Sequence, residues 1–151
     1  RFDISVTALF GGGVNEQFLA PHIHYRCVFP KSIPGNSHLM KLFTPKQLHR
    51  FCVREHYDIE ISYLEGPSAR VISGCQDKNT KLVSWIHCTM RTENEFAVGC
   101  RSYEEAKDCI SKFDKNLSSI IISKKIDLST TFLPCLQLNR AGSGTGSCSV
   151  F

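Results

Sequence analysis

Tyr57-Asp58-Ile59-Glu60-Ile61-Ser62-Tyr63-Leu64 runs on through Glu65-Gly66-Pro67-Ser68 to Ala69-Arg70-Val71-Ile72, and the expected sheet is built on it. Successive side chains of a strand point to opposite faces. Tyr57, Ile59, Ile61 and Tyr63 therefore share one face and Asp58, Glu60, Ser62 and Leu64 the other, the pattern of a half-buried strand. Glu65 to Ser68 is turn chemistry, and Arg70-Val71-Ile72 reads as the return strand. A strand that turns and comes straight back pairs antiparallel.

The neighbouring segments fit the same picture. Residues 1–10 and 21–29 read as strands, the first ended by Gly11-Gly12-Gly13 and the second by Pro30. Thr44-Pro45-Lys46-Gln47 opens a helix: Thr44 can cap, Pro45 suits the first helical position and Gln47 completes a capping box. Leu48, Phe51 and Cys52 follow as its apolar stripe. Leu82 to Thr89 and Phe96-Ala97-Val98 read as further strands. Ser102-Tyr103-Glu104-Glu105 opens a second capped helix, with Ala106, Cys109, Ile110 and Phe113 on its apolar face. A strand over 117–123 follows, and Gly142-Ser143-Gly144-Thr145-Gly146-Ser147 lacks the ending of a phosphate-binding loop and reads as a flexible tail over 141–151.

The 151 residues, 42% hydrophobic and 21% charged, fit a single domain over 1–151. Cysteines stand at 27, 52, 75, 88, 100, 109, 135 and 148, with no Cys-x-x-Cys pair. An even, dispersed set is what disulfides leave in an oxidising compartment. With a chain beginning at Arg1 and a sequon at Asn116-Leu117-Ser118, this gives the expectation of a secreted, disulfide-stapled, extracellular protein. No apolar run reaches the length of about 18 residues that spans a bilayer. The net charge of +4 is mild and does not demand a nucleic-acid partner.

From Tyr25 to Cys100 the chain resembles the fungal guanyl-specific ribonucleases, in particular the ribonuclease-like effectors secreted by powdery mildew fungi. Tyr25-Arg26-Cys27 supplies the opening, residues 44–55 the single helix, Ala69-Arg70-Val71-Ile72 and Leu82 to Thr89 two of the strands, and Asn94-Glu95-Phe96 to Cys100 the closing element. The resemblance implies a ribonuclease-like core over 25–100 and a Cys27–Cys100 bridge; the helix and strand read over 101–140 form an extension beyond it. The other six cysteines (Cys52, Cys75, Cys88, Cys109, Cys135 and Cys148) are left with 15 possible pairings.

Ribonucleases of this kind need a base, an acid and a cation over the developing negative charge. Glu60 is the candidate base, Arg70 the phosphate clamp and His87 the acid, with His56 beside Glu60. Each also has a plain reading, as a solvated strand face, a surface cation or a packed strand histidine. His22 and His24 share a face without a third ligand, so no metal is expected, nor any cofactor. His87 falls one residue early and the Glu-to-Arg connection is short for the family. The expectation is therefore α+β: a twisted antiparallel sheet with one packed helix and a C-terminal helix-strand extension, disulfide-stapled. Its function would be that of a secreted, non-catalytic virulence effector, monomeric and not inserted in membranes, binding a host protein (an immune receptor among the candidates) or RNA. The alternatives are an active secreted endoribonuclease and an unrelated cysteine-rich toxin, adhesion or inhibitor module.

Overall fold

A computed structural model describes residues 2–31, 36–88, 90–118, 133–134 and 146–151. In chain order they form β1 (Phe2–Phe10), α1 (Glu16–Leu19), β2 (His24–Phe29), α2 (Asn36–Met40), α3 (Pro45–Cys52), β3 (Ile59–Ser62), α4 (Pro67–Ile72), β4 (Lys81–Ile86), α5 (Glu93–Phe96), α6 (Tyr103–Ser111), β5 (Lys115–Ser118), β6 (Leu133–Pro134) and β7 (Gly146–Val150). The strands make one sheet in the order β2-β1-β7-β3-β4-β5-β6. Every neighbouring pair is parallel.

The expected antiparallel α+β sheet is thus replaced by a parallel α/β one, and the reason lies in the deciding stretch. Pro67 starts a helix instead of a turn, so Arg70-Val71-Ile72 is the end of α4 and not a return strand. Gly66 stands at the helix entrance with φ 75°, a conformation in which a side chain is strained. Proline at the first helical position loses no hydrogen bond, because that N–H has no partner inside the helix. The chain leaving β3 therefore returns to the other end of the sheet through α4 before entering β4, and such a crossover makes the two strands parallel. Phe96 likewise ends a helix, α5, capped by Thr92, whose side chain accepts from the Glu95 N–H. Thr44 caps α3 as read, with both arms of the capping box formed. Ser102 caps α6 by accepting from the Glu105 N–H.

The two faces of β3 are also the reverse of a simple hydrophobic reading. Glu60 and Ser62 point into the core, 2% and 0% exposed, while Ile59 and Ile61 are half-buried and Tyr63 is 45% exposed. In register beside them lie Ser149 of β7 and Leu82 and Ser84 of β4. Three buried serines (Ser62, Ser84 and Ser149) sit on adjacent central strands, and small side chains there let helices approach closely. Above them pack Leu48 and Cys52 of α3, Val71 and Ile72 of α4, and Ala106 and Ile110 of α6, joined by Met40, Phe96, Phe113 and Phe151. Each fully buried aliphatic side chain of this set contributes about 1.5–3 kcal/mol.

No disulfide exists among the described residues: Cys27, Cys52, Cys75, Cys88, Cys100, Cys109 and Cys148 are free thiols. The inferred Cys27–Cys100 bridge fails because the parallel order carries β2, with Cys27, to one edge of the sheet. Cys100 sits in the core beside Cys109 of α6, to which it is hydrogen-bonded. Cys135 lies outside the described residues, as do residues 119–123 of the expected strand and residues 141–145 of the expected tail. Gly146–Val150, by contrast, forms β7 between β1 and β3. No helix of the described residues is long and apolar enough to cross a membrane.

Candidate functional site

Glu60 is the residue from which the site is built. Its position in β3 directs its carboxylate under α3, where it is 2% exposed. Burying a carboxylate costs several kcal/mol unless charge and hydrogen bonds offset the loss of water. The partners here are few. His49 Nε2, on α3, lies 2.8 Å from Glu60 Oε2. The Cys75 thiol, in the loop after α4, donates weakly to Glu60 Oε1 at 3.8 Å. His49, Glu60 and Cys75 thus bring a nitrogen, an oxygen and a sulfur donor together, all within 4.8 Å of one another.

The local sequence explains why the three meet. α3 presents Leu48, His49 and Cys52 to the interior and leaves Phe51 58% exposed. Gly74, just before Cys75, lies so near the Pro45 carbonyl that a Cβ would overlap it. The missing side chain lets the end of α4 close onto the start of α3. Thr80 and Asp77 hold the loop beyond: the Thr80 hydroxyl donates to Tyr57 O at 2.7 Å, and Asp77 Oδ1 accepts from the Asn79 N–H at 2.8 Å.

The Cys75 thiol does not have the setting of a nucleophile. Burial raises its pKa above the ordinary value and the Glu60 charge adds to this, outweighing a hydrogen bond to Asp77. Reactive thiols need the opposite, a nearby cation or imidazolium that favours the thiolate. His49 is turned toward Glu60, not toward sulfur. What raises a thiol's pKa in a protein does not prevent its losing the proton to a metal, which takes thiolate outright.

No protein family, curated protein or solved structure matches this chain.

The residues expected to make a ribonuclease site are dispersed. Arg70 is 0% exposed in α4 and is a core strut. Its guanidinium donates to Met40 O at 2.8 Å, Phe43 O at 2.7 Å and Glu105 Oε1 at 3.0 Å. His87 follows β4 on the face opposite Glu60, its ring against Trp85 and Tyr63 with centroids 5.3 and 4.5 Å away. His56 is exposed and paired with Asp77 at 2.8 Å. His24 approaches Asp3 at 3.6 Å on the far side of the sheet. Asn116, the sequon residue, is 3% exposed in an inner strand, where a glycan has no room. Of the catalytic candidates read from sequence, only Glu60 belongs to the cluster; Cys75 enters the sequence reading only as a disulfide cysteine, and His49 does not enter it.

Proposed function

We propose that this chain is a metal-binding protein whose ion is held by His49, Glu60 and Cys75. The observation that carries the reading is the buried Glu60 carboxylate, placed between an imidazole and a thiol with no other charge-bearing partner among the described residues. A divalent cation supplies the compensation that burial of this carboxylate requires.

The donor set selects among metals. One nitrogen, one oxygen and one sulfur are borderline-soft together, which favours zinc or its neighbours over magnesium or calcium. Tetrahedral zinc holds these donors at about 2.0–2.3 Å, which separates them from one another by about 3.3–3.8 Å. Glu60 and His49 stand at 2.8 Å and Glu60 and Cys75 at 3.8 Å, so small side-chain rotations reach that geometry. Three protein donors leave one position for water or another ligand. The ion ties α3, β3 and the loop after α4 to one point, so binding stabilises the fold.

The test is titration with cobalt(II), which reports its ligands by colour. One equivalent should give a thiolate-to-cobalt charge-transfer band that zinc abolishes. Cys75→Ser should remove that band, and His49→Ala should lower affinity without unfolding the chain. A hydrogen-bonded Glu60–His49 pair with no ion is the other outcome, and it shows as no band at any cobalt concentration with a natively folded protein.

A further inference from the structure

Three sulfur-bearing side chains meet in the core, away from the cluster described above. Cys109 lies on the buried face of α6, Cys100 follows α5, and Met90 follows β4; all three are buried. Gly99, with φ 85°, sits against the Pro67 ring so closely that a Cβ would overlap it. That contact helps deliver Cys100 to α6, where its thiol donates to the Cys109 sulfur. Met90, Cys100 and Cys109 line one cavity of about 20 Å³. A space of that size takes a single water-sized body. We infer that this cavity is a second metal site, in which the sulfurs of Met90, Cys100 and Cys109 hold one copper(I) ion.

The donor chemistry selects the ion. Thiolate and thioether are soft ligands, the kind that take copper(I). The thioether adds softness without charge, which suits a monovalent ion better than zinc. The remaining wall of the cavity is carbon apart from Ser84 and Glu65. The Glu65 carboxylate is engaged, accepting the backbone N–H groups of His87 and Cys88. The unbranched Met90 side chain, with three rotatable bonds, can swing its sulfur to the ion. Thiolate is the form that binds metal. The hydrogen bond from Cys100 holds the Cys109 thiol below its ordinary value, and the same bond, with burial, holds Cys100 above it. Cys109 is therefore the first to ionise. Arg70 favours the thiolate of Cys100 and Lys112 that of Cys109, while Glu105 opposes both. A copper(I) dithiolate carries one net negative charge. Arg70 is a fully buried cation near it, and its Nε has no hydrogen-bond partner among the described residues.

The experiment uses the whole chain, reduced and kept from air, titrated with copper(I) supplied as its bicinchoninate complex. The protein should strip one copper from the chelator, and X-ray absorption should show a shell of three sulfurs. Met90→Leu nearly conserves volume and so keeps the fold. It should lose one sulfur from the shell and bind copper several-fold more weakly. Cys109→Ser should strip no copper; if it fails to fold, Met90→Leu carries the test alone. Cys75→Ser, which removes the sulfur of the first site, should still take its copper, so the two metal readings stand or fall separately. The inference is overturned by nitrogen or oxygen in the shell, by Met90→Leu matching the native chain in shell and affinity, or by loss of copper in Cys75→Ser. Failure to strip copper at all overturns it too, and leaves Cys100 and Cys109 as a packed thiol pair.

Discussion

Gly74 packs against the carbonyl of Pro45 with no space for a side chain between them. That contact sets the distance from α4 to α3, and with it the distance from Cys75 to His49. Gly74→Ala should therefore act on the ion site without touching a donor. Overpacking of this kind costs about 1–3 kcal/mol. Chemical denaturation should show that loss, and cobalt affinity should fall in the same variant. A variant that loses stability yet keeps full affinity would separate the packing from the site.

Ion affinity should depend steeply on pH. Burial and the Glu60 charge hold the Cys75 thiol above its ordinary value, so it is protonated at neutral pH and must release that proton to the metal. Each unit fall in pH between 8 and 6 should weaken zinc by about tenfold for this one proton. Competition with a chromophoric chelator measures the slope. In Cys75→Ser the thiol contribution to the slope should vanish.

Arg70 should matter for stability and not for chemistry. Its guanidinium, with no exposure, ties α4 to the chain around Met40 and Phe43 and to Glu105 of α6. Removing one member of such a buried pair costs about 3–5 kcal/mol. Arg70→Ala should shift the urea midpoint accordingly, with Glu105 left to the Arg101 N–H and charge alone. Retention of wild-type stability would mean that Arg70 is not the strut described.

Acid should weaken the fold through Asp114. The Leu82 N–H donates to it, more than offsetting partial burial, and Lys81 adds to the effect, so its folded value lies below the ordinary 3.8. A depressed carboxylate contributes stability that is complete above its unfolded value and lost as pH falls through the folded one. The gap in stability between the native chain and Asp114→Asn should therefore be constant near neutrality and close below about pH 4.

Thiol chemistry gives a direct check of the parallel fold. Alkylation of the unfolded, unreduced protein should label Cys27, Cys52, Cys75, Cys88, Cys100, Cys109 and Cys148, and peptide mass spectrometry would locate each label. A Cys27–Cys100 peptide would instead restore the antiparallel arrangement that the sequence implied.

Much of the element order is legible in the sequence, because caps and alternation are local. Thr44 with Gln47, Ser102 with Glu105, and the alternation from Ile59 to Ser62 each mark an element that forms where they stand. The connection between strands is not local. Gly66-Pro67 serves equally as a turn or as a helix entrance, and the six residues of α4 are too short to declare a period. That single ambiguity removes the antiparallel strand expected after β3 and lets β3 and β4 pair directly in parallel. The site was hidden for a related reason. Alternation separates Ile59 and Ile61 from Glu60 and Ser62 but does not say which side is covered, and here the helices lie over the polar side.

β7 is the only described strand that touches both β1 and β3. Without it the sheet is two separate pieces, β2 with β1 and β3 with β4 onward. Residues 146–150 thus act as a keystone drawn from the far end of the sequence. During synthesis both pieces must wait, with open edges, until these residues emerge. A chain lacking residues 146–150 would carry two unpaired parallel edges, the kind of edge along which strands of separate molecules pair.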